Sequence, residues 1–236
     1  HFEARLRIAE LYEAAGFRAY HIAEHHCTPL GMAPSPSVFL AAVAQRTTRL
    51  RLGPLVFALP LYHPLRLIEE ICMLDHMSGG RLELGFGRGA SPLEAAFFGL
   101  SADETPALYS EGLELVLKGL TSETLDFKGE HFNLENVPMQ MHPLQRPHPP
   151  LWYGLHSPES GERAALQGLN VISNGAAGKV RPAFERYREV WAAKQSPAKR
   201  PFMGVVRFVV VAETDAEALA TARRSYPVWY RSFNFL

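Results

Sequence analysis

Glu24, His25 and His26 follow directly on a short apolar run, Ala19 to Ala23. A run of that kind reads as a buried strand. Apolar residues suffice to hold a strand in a sheet, so three ionisable residues at its end need another reason. In a parallel α/β fold the C-terminal strand ends are where ligands bind and chemistry occurs. Alternation along a strand sends Glu24 and His26 to one side and His21, Ala23 and His25 to the other. Histidine titrates near neutral pH, so the pair suits proton transfer.

Two further stretches could hold an anion. Arg88 lies in GFGRG, Gly85 to Gly89, after another apolar run. Glycines there let the backbone approach a ligand closely. A guanidinium among them can grip a phosphate with a two-pronged hydrogen bond. His156-Ser157-Pro158 ends one strand and opens a helix. The free N–H groups and dipole of a helix start favour phosphate, and the same residues also read as a plain N-cap.

Other chemistries lack their residues. GFGRG does not open a long helix, and no acid stands at a strand end some 20 residues on, so it is not a dinucleotide fingerprint. There is no HExxH or DxD for a metal and no GxSxG nucleophile elbow. Cys27 and Cys72 form no CxxC and read as free thiols in a reducing compartment, the cytoplasm.

The elements that must position these residues follow in order. A helix spans Phe2 to Ala15, closed by Gly16. Ser35 caps a second, starting at Pro36 and running to Gln45. Leu50 to Leu59 is a continuous apolar strand, covered on both faces. His63-Pro64 starts a helix that stops at Ser78-Gly79-Gly80. Arg81 to Phe86 is a strand, Pro92 to Phe98 a short helix, and Ala107 to Gly119 a longer one. Thr121 to Pro150 is an irregular excursion holding a hairpin, Leu125 to Leu134, that turns at Lys128-Gly129. Strands at Leu151–Leu155 and Leu169–Ser173 alternate with helices at Pro158–Gln167 and Val180–Lys194. The second of these helices carries Phe184, Tyr187 and Trp191 as core. Met203 to Ala212 is the last strand. Asp215 to Leu236 is a helix with a kink at Pro227, whose Tyr226, Trp229, Tyr230 and Phe233 read as core or as a partner surface.

Strands alternating with helices imply a parallel sheet in a single α/β domain over residues 1–236. Six strands suit an open sheet, or an eight-stranded (β/α)8 TIM barrel without its first and eighth. A chain opening on His1 reads as a piece of a longer gene product. The 236 residues are 47% hydrophobic and 20% charged, with 24 Lys plus Arg against 24 Asp plus Glu. That neutral balance argues against charge-driven partners, nucleic acid or membrane surface. No apolar run is long enough to span a membrane and no signal segment is visible.

EHHCTPLGMAPSP (Glu24 to Pro36), RLGPLVFALPLYHPLRLIEE (Arg51 to Glu70), LDHMSGGRLELGFGRG (Leu74 to Gly89) and PLQRPHPPLWYGLHSPES (Pro143 to Ser160) resemble the luciferase-like flavin-dependent monooxygenases. The ending SYPVWYRSFNFL resembles the bacterial luciferase alpha subunit. The resemblance implies a TIM barrel with the excursion after its fourth strand and a site for reduced FMN at the C-terminal mouth. It implies a monooxygenase that oxygenates a small organic substrate with O2, carried as a peroxide on the flavin. Residue by residue, it makes His25, with His26 beside it, catalytic. It gives cofactor contacts to Glu24, His63, Arg88, His156, Ser157 and Asn174, with Arg88 and Ser157 on the flavin phosphate. His156 stands where luciferase has a glutamate. Leu55-Val56 matches a non-proline cis peptide beneath the ring. A separate flavin reductase and a homodimer are the implied partners. The same barrel also serves a deazaflavin coenzyme for hydride transfer, and flavin-binding relatives without turnover.

Overall fold

The computed structural model describes residues 1–31, 33–89, 91–194, 196 and 200–236, which form two compact units. The first holds residues 1–27 and 31–151. It runs α1 (Phe2–Ala14), β1 (Ala19–Ile22), α2 (Pro36–Arg46), β2 (Arg51–Pro54), β3 (Phe57–Ala58), α3 (Pro64–Met77), β4 (Leu84–Gly87), α4 (Pro92–Phe97), α5 (Thr105–Gly119), β5 (Thr124–Lys128) and β6 (Asn133–Pro138). β1 pairs with β2 and β3 with β4, all parallel, so the C-terminal ends of these strands share one edge.

The expected apolar strand from Leu50 to Leu59 is two strands. It breaks at Leu55-Val56, whose peptide bond is cis, and ends in a single 3-10 turn over Leu59–Leu61. The side chains of Leu55 and Val56 sit where a Cβ on Gly85 or Gly87 would be. Those two glycines therefore admit the broken strand, and not a ligand as their spacing implied. The expected strand Arg81–Phe86 pairs regularly only over Leu84–Gly87, with a bridge from Leu82 to Leu52 before it.

Local chemistry sets the helix ends. The Ser35 side chain accepts from Val38 N, and Pro36 takes the first turn of α2, where no N–H is needed. At its other end Arg81 donates to the carbonyls of Ala44 and Thr47 at 2.9 and 3.0 Å, which the helix C-terminus leaves open, and to that of Leu50 before β2 at 2.7 Å. Behind them the core packs Leu40, Val43, Leu52, Leu67, Ile68, Ile71 and Leu84.

Glu13, on α1, binds the loop into β2. Its carboxylate accepts from the N–H groups of Thr48, Arg49 and Leu50 at 2.9, 2.6 and 2.7 Å. Burial alone would raise this carboxyl, but those donors outweigh it and hold its pKa down to about 2. A depressed carboxyl stabilises the fold above its unfolded value and loses that effect as pH falls through the folded one. Glu13→Gln is therefore expected to be less stable than the native chain above about pH 5. The gap should close toward pH 2, as read by urea unfolding across pH. A gap independent of pH would refute the ionic role.

Below the strand ends, Glu83 is fully buried and meets Arg51 Nε at 2.7 Å and His21 Nε2 at 3.1 Å. A methyl at Gly53 would land on the Glu83 carbonyl, backbone against backbone. Gly53→Ala is expected to destabilise the chain by about 1–3 kcal/mol in chemical unfolding. An unchanged midpoint would mean that β2 and β4 can part without loss.

The excursion is ordered. β5 and β6 form an antiparallel hairpin, and Glu111 on α5 accepts from Glu130 N, His131 N and Phe132 N in its turn at 2.9, 3.0 and 2.7 Å.

The second unit, residues 28–30 and 152–236, carries β7 (Leu151–Gly154), α6 (Pro158–Gln167), β8 (Asn170–Ser173), α7 (Ala177–Ala193), β9 (Met203–Val205) and α8 (Asp215–Phe233). β7, β8 and β9 pair in parallel. Tyr187 is fully buried here with Phe184, and Trp191 packs against them, as their spacing on α7 predicts.

Two expectations fail in this unit. The last strand is three residues, not the whole of Met203 to Ala212. A strand persists only where a neighbour supplies hydrogen bonds, and β8 ends at Ser173, paired with Val205. Phe208, Val209 and Val211 beyond it are 64%, 77% and 86% exposed. The aromatics of α8 are likewise not core, since no residue of α8 is buried. They pack on one another and on Phe208, Trp229 stacked on Phe233 at 5.1 Å and tilted against Phe208 at 4.4 Å between centroids.

Candidate active site

The sheet edge at the end of β1 gathers two carboxylate–histidine pairs. β1 stops at Ile22, one residue short of the expected Ala23, so Glu24, His25 and His26 lie just past the ladder. Glu24 turns inward and is 7% exposed. Its Oε2 accepts from Ala58 N at 2.9 Å, and its Oε1 accepts from the Tyr62 hydroxyl at 3.0 Å and meets His26 Nε2 at 2.6 Å. Burial raises the Glu24 carboxyl above its usual range, against the opposing pull of His26, the Ala58 amide and Tyr62. Burial and then the Glu24 charge push the Tyr62 phenol up as well. The His26 ring stands edge-on to Phe98, with centroids 4.8 Å apart.

His25 has a different partner. Its Nδ1 lies 3.2 and 3.3 Å from the two oxygens of Glu94, which is 5% exposed on α4. The same carboxylate accepts from the backbone N–H of His26 at 2.8 Å. Nε2 of His25 has no partner among the described residues. The two histidines are therefore not equivalent: His26 Nε2 meets Glu24, while His25 Nε2 meets no described residue.

Glu24 links this pair to the neighbouring strands. Ala58, which donates to it, lies opposite Gly87 in the β3–β4 ladder, and Arg88 is the next residue. Arg88 is exposed and makes no hydrogen bond or ion pair among the described residues. Gly89 follows at φ +84°, a conformation that favours glycine. His63 starts α3, exposed, with its ring edge-on to Phe132 of the hairpin turn at 5.8 Å. The first unit thus brings together Glu24, His25, His26, Leu55, Val56 and Arg88 along one edge, with His63 beyond the 3-10 turn that follows β3.

In the second unit Ser157 is the N-cap of α6 and shares a capping box with Ser160. Ser160 Oγ accepts from Ser157 N and His156 N at 3.0 and 3.2 Å. The His156 side chain is exposed, its ring 6.3 Å from that of Tyr153, and Asn174 is exposed just past β8.

Glu94, Tyr62 and Phe98 escaped the sequence reading. Ser91-Pro92-Leu93-Glu94 carries the ordinary signature of a capped helix start, serine with an acid three residues on. Ser91 does cap α4, its Oγ accepting from Glu94 N at 3.2 Å. Nothing local says that the Glu94 carboxylate also reaches the strand end.

The sequence profile of the luciferase-like monooxygenases matches residues 1–234. The chain belongs to that family. Among curated relatives, this family member is 45% identical over 233 residues to protein y4wF of Sinorhizobium fredii, covering 98% of this chain and 68% of that protein. It is 26% identical to the oxygenase component of the flavin-dependent trigonelline monooxygenase of Acinetobacter baylyi, over 98% of this chain and 65% of the relative. The crystal structure of monooxygenase RslO1 from Streptomyces bottropensis superposes with a TM-score of 0.92 at 32% identity, covering 99% of this chain and 73% of that one. The luciferase-like fold is of the TIM-barrel type, and the α/β content agrees with the fold class read from the sequence. The chain spans about two thirds of the length of these relatives, and 47% of the y4vJ protein of Sinorhizobium fredii. Among the described residues no helix is long and apolar enough to cross a membrane.

Proposed function

We propose that this chain carries the oxygenase site of a flavin-dependent monooxygenase that takes reduced FMN and O2 to a small organic substrate. The observation that carries the reading is the shared strand edge: a histidine ring nitrogen and a guanidinium, two strands apart and both without partners among the described residues, in a luciferase-like monooxygenase. The flavin-dependent relative supports the cofactor class.

The donor set fits a flavin phosphate. Arg88 offers an unspent planar fork, which suits phosphate better than a lysine would. Ser157, which the resemblance also gives to the phosphate, lies in the second unit, where its hydroxyl and the first N–H groups of α6 are engaged by Glu159 and Ser160. Leu55 and Val56 form an apolar floor for the ring, and Tyr62, Phe98 and Phe132 supply further apolar wall. Bound reduced flavin supplies the electrons and the oxygen activation. The protein residues do the rest. His25 Nε2 accepts or returns a proton at the reacting centre. Glu24 holds His26 and ties β1 to β3. The apolar wall keeps water from the site. A separate reductase partner is part of the proposal, supported by a relative named as an oxygenase component, and so is a homodimer.

The test is stopped-flow absorbance after mixing the protein, loaded with photoreduced FMN, with oxygenated buffer. Flavin reoxidation slower than that of free FMN, with substrate-dependent kinetics, supports the reading. Reoxidation at the free-flavin rate refutes it, and tight binding of a reduced deazaflavin would then favour hydride transfer.

A further inference from the structure

We infer that Glu94 is a positioning residue that decides which ring nitrogen of His25 carries the proton, an inference that rests on the acid/base role proposed for His25. An ionised carboxylate accepts hydrogen bonds and donates none. Glu94 faces two donors at once, the His26 amide at 2.8 Å and His25 Nδ1 at 3.2 and 3.3 Å. Nδ1 must therefore carry hydrogen, and Nε2 of the neutral ring is left with its lone pair outward. That is the form a proton acceptor needs. Without Glu94 nothing among the described residues selects it.

The backbone donor gives the arrangement a direction. A peptide N–H cannot become an acceptor, so whatever stands at residue 94 must turn an oxygen to His26. In Glu94→Gln the amide oxygen takes that place as Oε1, which faces both His26 N and His25 Nδ1, while the NH2 group replaces Oε2, 3.3 Å from the same Nδ1. A donor at that distance opposes the Nδ1 hydrogen, so the hydrogen shifts to Nε2. The variant is nearly isosteric, yet it inverts the ring. The same logic explains why α4 begins where it does. Ser91 and Pro92 fix its first turn, and Glu94 lies in that turn on the side of the β1 end.

The experiment is a long-range 1H–15N spectrum of the protein with 15N-labelled histidine, without flavin, at a pH where the ring is neutral. His25→Ala identifies the resonances. The native protein is expected to show His25 in the Nδ1–H form, and Glu94→Gln in the Nε2–H form with an unchanged fold by circular dichroism. Glu94→Ala, which removes both contacts, should also release the ring to its intrinsic Nε2–H preference, so either variant decides. A native ring in the Nε2–H form, or variants that keep the Nδ1–H form, overturns the inference. Turnover separates it from the functional proposal. Glu94→Gln should lose roughly 100-fold in turnover with reduced-flavin affinity within about twofold of native. A ring that inverts with turnover intact upholds the positioning and removes His25 from the chemistry.

Discussion

His25→Ala is expected to lower turnover by roughly 100-fold or more, the usual worth of one general acid/base group. Reduced-FMN binding should be nearly unchanged, because the ring offers one nitrogen to the reacting centre and spends the other on Glu94. His26→Ala provides the contrast. It removes the 2.6 Å contact to Glu24 and the ring edge on Phe98, so it should act through stability and site order. If His26→Ala costs as much turnover as His25→Ala in a folded protein with normal flavin affinity, the roles assigned to the two rings are reversed. If His25→Ala turns over normally, no proton passes through that residue. Steady-state rates with flavin titrations on the same preparations separate these results.

The second large effect concerns affinity. Arg88→Ala should weaken FMN binding by roughly 10- to 100-fold, the worth of about 1.5–3 kcal/mol for a charged hydrogen bond. The guanidinium is exposed and has no competing partner among the described residues, so truncation leaves no buried charge behind and stability should hold. Riboflavin supplies the control, since it lacks the phosphate. Arg88→Ala should leave riboflavin affinity at the native value. The FMN preference over riboflavin should also shrink at high salt, because an exposed charge pair is screened. A variant that loses riboflavin and FMN equally would mean that Arg88 contacts the ring system or shapes the loop, and does not hold phosphate.

The chain itself declares a good deal. Strand–helix alternation, the capped starts at Ser35-Pro36 and Ser157-Pro158, and the glycine stop after Met77 are local signals, and each element forms close to where those signals put it. The row Glu24-His25-His26 at a strand end is legible in the sequence, and the fold gives its two rings different carboxylates, Glu94 and Glu24. The motif resemblance carries the family, because it rests on several stretches in a fixed order.

The tertiary structure decided the partners. Glu94 lies 69 positions from His25, and its sequence context reads as an ordinary helix cap, so only folding reveals which ring it serves. Glu24 lies 34 positions from the amide it accepts from. The apolar pattern of Leu50–Leu59 gives no sign of its break, since it reports burial and not backbone path, and only the motif resemblance marked the cis peptide found at Leu55-Val56. Gly85 and Gly87 are set by the side chains packed over them, a contact between strands that spacing along one strand cannot express. The same limit explains Met203–Ala212 and the aromatics of α8. Hydropathy names residues that can be buried, and a strand or a core forms only where another segment supplies the other half.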